Sequence, residues 1–453
     1  MNTSVDTLQT LSEWAASLRY EALPADVHTH TGWILADTVA AIVGGSAEPE
    51  LRRWVARQTG GGSATLVGLG QRTQAATAAL INGTAGTFLE MDEGNRFSRG
   101  HPAVHVLPAL LALADTQRLA RADFLAALVV GYEVGSRIGA ASQLRGAMHP
   151  HGTWGTIGAA AASARAHGYS ATLMKETINV SASMTIATSK KTMLEGGLVR
   201  NLYAGLSNHN GLLAAQLAAC GFTGERDGVA SLFGQIVSER YDSAEVLRDL
   251  GADWHLMHNY FKRHSCCRYN HGTLDALDLL AQREGLPAPE QIAKVEVRTY
   301  GLAAELIDPA PRNTLAAKFS VPFAVATRIV RGSSGLASFT WEAVRDERVL
   351  ALAQRVTVTE DTAMTARLPQ ERPAQVRITT TDGRVWQAEV GVNRGDDASP
   401  YTPQELSAKF IELCTRVWPT AHAEQVLHTT LSLAQDDGTL DDWLQLLRHP
   451  PLQ

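Results

Sequence analysis

This chain has little of what would staple it, anchor it in a membrane or attach it to nucleic acid. Its 453 residues hold 4 cysteines, too few for a disulfide framework at this length. Adjacent Cys266 and Cys267 are poorly placed to bridge one another. No apolar run reaches the roughly 18 residues that a bilayer span needs; FLAALVVGY and LPALLALA are too short. The N-terminal stretch MNTSVDTLQTLSEWAASLRYEAL lacks the basic and apolar regions of a signal peptide and reads as an amphipathic helix. A reducing cytoplasm is the expected location. A net charge of −6 argues against a general nucleic-acid or anionic-membrane surface. Against that acidic background Lys190-Lys191, Arg200 and Lys262-Arg263 with Arg268 stand out, and a small anionic molecule is their expected partner.

Familiar chemical motifs are missing too. There is no Walker loop, no GxGxxG after a strand and no GxSxG elbow. The glycine-rich run Thr59-Gly60-Gly61-Gly62-Ser63 reads as an exposed loop. His101/His105 and His149/His151 have spacings a metal could use, but Pro102 interrupts the first pair and no HExxH accompanies either. No metal centre is expected.

What the chain does have is a large apolar content, 45%, arranged in two textures. Through residues 1–265, Ala- and Leu-rich runs such as HTGWILADTVAAIVGG and GTIGAAAASARAHG keep helical spacing. Gly155, Gly158 and Ala159 to Ala162 predict helices that approach closely. Gly44-Gly45 and Gly168 read as helix stops. After Leu286 the runs KVEVRTYG, RVTVTED and AQVRITTTDGRVWQAEVGV turn β-branched and alternating, with Asp382-Gly383 a hairpin signal. Helical pieces interleave with them. The expected fold is therefore mainly α with an α+β second domain: a helical bundle over 1–265, a smaller α+β domain over 266–398, and C-terminal helices over 399–453. Thr402-Pro403-Gln404-Glu405 is a capping box opening the helix expected to return to the bundle.

Four segments carry candidate chemistry. LEMDEGNRFSRGHPAVHVL, residues 89–107, sets Asp92, Glu93, Arg96, Arg99, His101 and His105 between apolar runs. Burying such groups is costly unless they are paired or used; the plainer reading is a solvated loop whose charges satisfy one another. His149 stands just before a Gly/Ala helix, where free N–H groups favour an anion, or where it simply forms a capping turn. Arg200 precedes an apolar helix and, taken alone, reads as a surface arginine. Lys262 to His271, at the domain junction, combines Lys, Cys and His, groups that exchange protons when their pKa values are tuned. A hinge with solvated charges is the alternative.

In series, these segments resemble the MmgE/PrpD superfamily. Asn82-Gly83, Met91-Asp92 and His101-Pro102 are similar to one signature; His149-Pro150 with Gly155-Thr156-Ile157-Gly158 to a second; Val199-Arg200-Asn201-Leu202-Tyr203-Ala204-Gly205 to a third. Lys262 to His271 and Lys318-Phe319-Ser320 complete the order. The resemblance implies a helical domain built from both termini, an α+β lid, a homodimer and no cofactor. It puts active-site positions at Asp92, His101, His149, Arg200, Lys262 and Cys267. Arg200 replaces a lysine of the decarboxylase pattern, Cys267 a histidine and Phe323 a tyrosine, while Glu93-Gly94 replaces a second aspartate.

The shared chemical problem of that family is a carbanion next to a carboxylate. His101 and His149 are the expected proton-transfer pair, with Asp92 orienting one of them. Lys262 is a second base if burial and nearby cations lower its pKa. Arg96, Arg200, Cys267, Arg268 and His271 are the expected substrate contacts. The expected activity is a cofactor-independent hydro-lyase acting on a small di- or tricarboxylate. An epimerase or racemase is the alternative, and an inactive binding homologue a further one.

Overall fold

The computed structural model describes residues 6–435 and 438–452. Its first half is built from helices too rich in Ala, Gly and Leu to have a polar face, and they are buried on every side over Ile34–Ser46 and Phe124–Gly139. The main ones are Ala25–Ser46, Ala75–Thr87, Leu107–Thr116, Arg121–Ala140, Trp154–Ala166 and Leu202–Ala219. Their crossings are set by backbone approach. A Cβ on Gly158 would stand 2.7 Å from the Gly131 carbonyl oxygen, and one on Gly83 would stand 2.8 Å from Gly205 Cα. The close packing expected at Gly158 is present.

Gly44-Gly45 is not the expected helix stop. The helix runs on to Ser46, and a Cβ on Gly45 would lie 1.9 Å from the Ala85 carbonyl oxygen. Contact, not termination, requires glycine there. Gly168 does end a helix, at φ +67, with its N–H bonded to Arg165 O at 3.0 Å.

The second texture forms one four-stranded sheet: β1 Ile292–Thr299, β2 Val356–Glu360, β3 Ala374–Thr380 and β4 Val385–Val390. The order is β4-β3-β1-β2, with β1 and β2 parallel and the other pairs antiparallel. The β3–β4 hairpin turns where Asp382-Gly383 predicts, with Gly383 at φ +87. Helices His271–Arg283 and Val321–Arg331 join the sheet in one core through Leu274, Leu277, Phe323, Val295 and Ile378.

Thr402 caps the next helix, Pro403–Cys414, in a full capping box with Glu405. That helix and Thr420–Ala434 pack on Ala25–Ser46, so helices from both ends of the chain are in contact. Phe410, Trp418 and Trp443 complete the first core. Truncating such a buried Trp to Ala costs about 3–5 kcal/mol. All four cysteines are free. No described helix is long and apolar enough to cross a membrane.

Candidate active site

After Ala75–Thr87 the chain turns through Glu90, a buried residue at φ 53, where non-glycine backbone is strained by about 1–3 kcal/mol. Buried lysines from three distant segments hold this turn. Lys318 Nζ donates to Phe88 O (3.3 Å) and Leu89 O (3.1 Å), Lys262 Nζ to Glu90 O (3.1 Å), and Lys409 Nζ to Met91 O (2.6 Å). Ser265 Oγ adds a bond to Leu89 O at 2.8 Å.

The three lysines differ in the direction of their pKa shift. Burial pushes Lys262 down, but the carboxylates of Asp92 (3.4 Å) and Glu90 (3.6 Å) more than offset it, and the net shift is upward. The lowered pKa on which its expected role as a base depended is therefore absent: its neighbours are anions, not cations. Burial pushes Lys318 down to about 8. Lys409 is also lowered by burial, despite its ion pair with Asp37.

Beyond this turn, His101 is fixed through Nδ1, which lies 2.6 Å from Glu93 O. A carbonyl only accepts, so Nδ1 carries the proton and Nε2 the lone pair. Asp92 Oδ2 stands 3.2 Å from the same nitrogen. His149 has the opposite arrangement: its Nδ1 accepts the His151 backbone N–H at 3.1 Å, so a neutral ring carries its proton on Nε2. Burial, aided by Lys262 for His101 and by Arg200 for His149, holds both pKa values well below the usual histidine range. Both rings are neutral.

Glu93 does not join this pair. Its Oε1 accepts from Ala103 N (2.9 Å) and its Oε2 from Tyr132 Oη (3.1 Å), and burial pushes its pKa up to about 8. It ties the loop to the helical core. The neighbouring glycine has a steric cause: a Cβ on Gly94 would meet Tyr260 Cζ at 2.4 Å.

Glu90, His101 and His149 line a cavity of about 580 Å³. The Gly83–Gly205 crossing brings the start of Leu202–Ala219 beside the end of Ala75–Thr87, and Arg200 forms an ion pair with Glu90. Arg200 is 2% exposed, so the surface reading fails. Its guanidinium also lies 5.4 Å from the Phe319 ring centroid.

Of the nine expected site residues, His101, His149, Arg200, Cys267 and Arg268 line the cavity. Asp92 and Lys262 stand behind that lining, bonded to His101 and Glu90 respectively. Arg96 is engaged elsewhere, in an ion pair with Asp397, and His271 supports Arg268 from outside the lining, Nδ1 to Nη1 3.1 Å. Cys267 is a neutral thiol, pushed up to about 11 mainly by burial. Phe323 is fully buried in the second core. Among the described residues no three or more His, Cys, Asp or Glu side chains are arranged so that they could hold a metal ion.

Sequence reasoning missed Glu90, His151, Tyr260 and Arg372, which also line the cavity. Glu90 and Tyr260 sit inside segments already singled out. His151 was visible as the second histidine after Met148, and its ring packs edge-on against His101 (5.1 Å), His105 (4.7 Å) and His149 (4.6 Å). Arg372 had no local signal.

Models of the MmgE/PrpD N-terminal and C-terminal domains match residues 9–238 and 264–434. The chain belongs to the MmgE/PrpD family. A cis-aconitate decarboxylase-like protein of Aspergillus oryzae is 25% identical over 461 residues, covering 93% of each chain. The cis-aconitate decarboxylase of Aspergillus terreus is 24% identical over 77% of each. The human cis-aconitate decarboxylase is 24% identical over 74% of this chain and 71% of its own. MmgE/PrpD members are enzymes, and both residues of the Asn82-Gly83 motif have physical causes in this chain. Asn82 braces Thr65 O (2.9 Å) and Val67 N (3.0 Å), while Gly83 permits the crossing that brings Arg200 to Glu90.

Proposed function

We propose that this chain is a cofactor-independent acid/base lyase of the hydro-lyase type, acting next to a carboxylate of a small di- or tricarboxylate. The observation that carries the reading is the pair of neutral imidazoles with opposite tautomers, His101 with a bare Nε2 and His149 with Nε2–H, on one cavity with a buried guanidinium.

In this mechanism Arg200 holds the carboxylate beside the reacting carbon, and its fixed charge stabilises the enolate-like anion as it forms. His101 Nε2 removes the α-proton. His149, taking up a proton as the bound anion raises its pKa, gives its Nε2 proton to the departing oxygen, which leaves as water, and the ring returns to neutral. An anionic substrate raises both histidine pKa values, which brings imidazolium within reach as the hydroxyl leaves. Asp92 and Lys262 act as positioning residues, through His101 and the Glu90 turn. The same pair also suits epimerisation, with one imidazole removing a proton and the other returning it, so that is the second reading. The relatives' named substrate puts cis-aconitate on the test panel. Arg200, Cys267 and Phe323 argue against decarboxylation itself.

The test is incubation in deuterated water with citrate, methylcitrate, cis-aconitate and amino-dicarboxylates, followed by mass spectrometry. Water loss or gain supports the hydro-lyase; label entering the α-position without an alkene supports the epimerase. Neither result from any compound would refute both. An inactive binding homologue would keep its biological effect in His101→Ala and His149→Ala variants.

A further inference from the structure

The cavity's buried arginines are not equally matched. Arg200 is paired with Glu90, and Arg268 Nη2 lies 2.9 Å from Asp396. Arg372 is comparably buried, at 5% exposed, yet among the described residues no carboxylate lies within ion-pair distance of it, and Asp396, the partner of Arg268, acts on it only from farther away. Its Nη2 donates to Arg96 O at 3.3 Å, while its Nη1 is buried without a hydrogen-bond partner. The Arg268 and Arg372 guanidiniums share one aromatic support, at 4.5 Å and 5.4 Å from the Tyr260 ring centroid. Tyr269 lies 5.9 Å from Arg372 as well. All four residues line the cavity.

Two cations over one ring, with a protein carboxylate for only one of them, leave a buried charge and a free N–H donor that an incoming anion satisfies. The planar fork of arginine fits a carboxylate with two parallel bonds. We propose that Arg372, beside Arg268 on Tyr260, forms a second carboxylate subsite, taking a substrate carboxylate other than the one held at Arg200. The subsite rests on the reading of this cavity as a carboxylate site, and it names the side chain that holds the carboxylate remote from Arg200. The ligand needs at least two carboxylates, and a monocarboxylate leaves Arg372 unmatched.

Calorimetric titration of the full chain with citrate, cis-aconitate and the monocarboxylate crotonate tests this. Arg372→Gln should weaken both tricarboxylates by at least about tenfold and leave crotonate unchanged. Arg372→Lys should recover only part of the loss, because a point charge replaces a fork. Near-UV circular dichroism matching wild type keeps either variant informative; if Arg372→Gln does not fold, Arg372→Lys carries the same comparison. Unaltered tricarboxylate affinity, or equal weakening of all three ligands, overturns the subsite while the proposed function stands. Failure of wild type to bind any of the three overturns the subsite, and the proposed function falls with it only if the wider panel in deuterated water also gives no reaction.

Discussion

The cavity has two walls, and they handle charge differently. The wall from the helical half presents His101, His149 and His151, all kept neutral by burial, beside an arginine already matched by Glu90. The wall from residues 260–372 presents Arg268, matched by Asp396, and Arg372, unmatched. Neutral imidazoles move protons and a surplus guanidinium holds an anion. On the proposed reading, proton transfer and the reacting carboxylate fall to the first wall and the remaining carboxylate to the second.

Substitutions on each wall should separate these roles. The largest effect is expected from His101→Ala, which should lower kcat by about 10²–10⁴-fold while leaving substrate affinity nearly intact. A matching loss in affinity would erase the distinction between the walls. Next in size is Lys262→Met, which leaves Glu90 and Asp92 buried without their shared cation. It should cost about 3–5 kcal/mol in urea unfolding, more than Lys318→Met, because Lys318 bonds mainly to carbonyls.

Two pH effects are smaller. The Glu93 pKa rises from 4.5 to about 8 on folding, so the folded state holds the proton more tightly. Its stabilising contribution is present below the unfolded pKa and is lost as pH rises through about 8. Glu93→Gln should flatten that part of the stability profile. Lys318 falls from 10.5 to about 8. Between those values the unfolded chain binds more protons, so wild type should gain stability as pH rises and Lys318→Met should not. The smallest effect is expected at Cys267. Its thiol is neutral near pH 7, so Cys267→Ser should change kcat by less than about threefold.

Much of the fold was legible because it is written in local periodicity. The apolar helical runs, the alternating strands, the Asp382-Gly383 turn and the Thr402 capping box are each short-range signals. Gly44-Gly45 misled for the opposite reason: what requires glycine there is the Ala85 carbonyl, 40 residues away along the chain. The candidate site divides the same way. His101, His149, Cys267 and Arg268 lie in compact polar segments, whereas Arg200, a surface arginine when taken alone, was singled out by the ordered series of motifs. Arg372 was invisible, since only tertiary packing brings it to Tyr260. Lys318 and Lys409 were equally hidden as holders of the Glu90 turn, because a lysine that bonds distant carbonyls has no sequence signature. Arg96 attracted attention by proximity to Asp92, yet its partner is Asp397.

The central claim is that His101 and His149 wait as neutral rings of opposite tautomer. Nitrogen-15 NMR of histidine-labelled protein at pH 7, with the two resonances assigned by His101→Asn and His149→Asn, measures it directly. The account predicts a protonated Nδ1 on His101, a protonated Nε2 on His149, and movement of both toward imidazolium when cis-aconitate is added. The same tautomer on both rings, or imidazolium on either in the free protein, would contradict it.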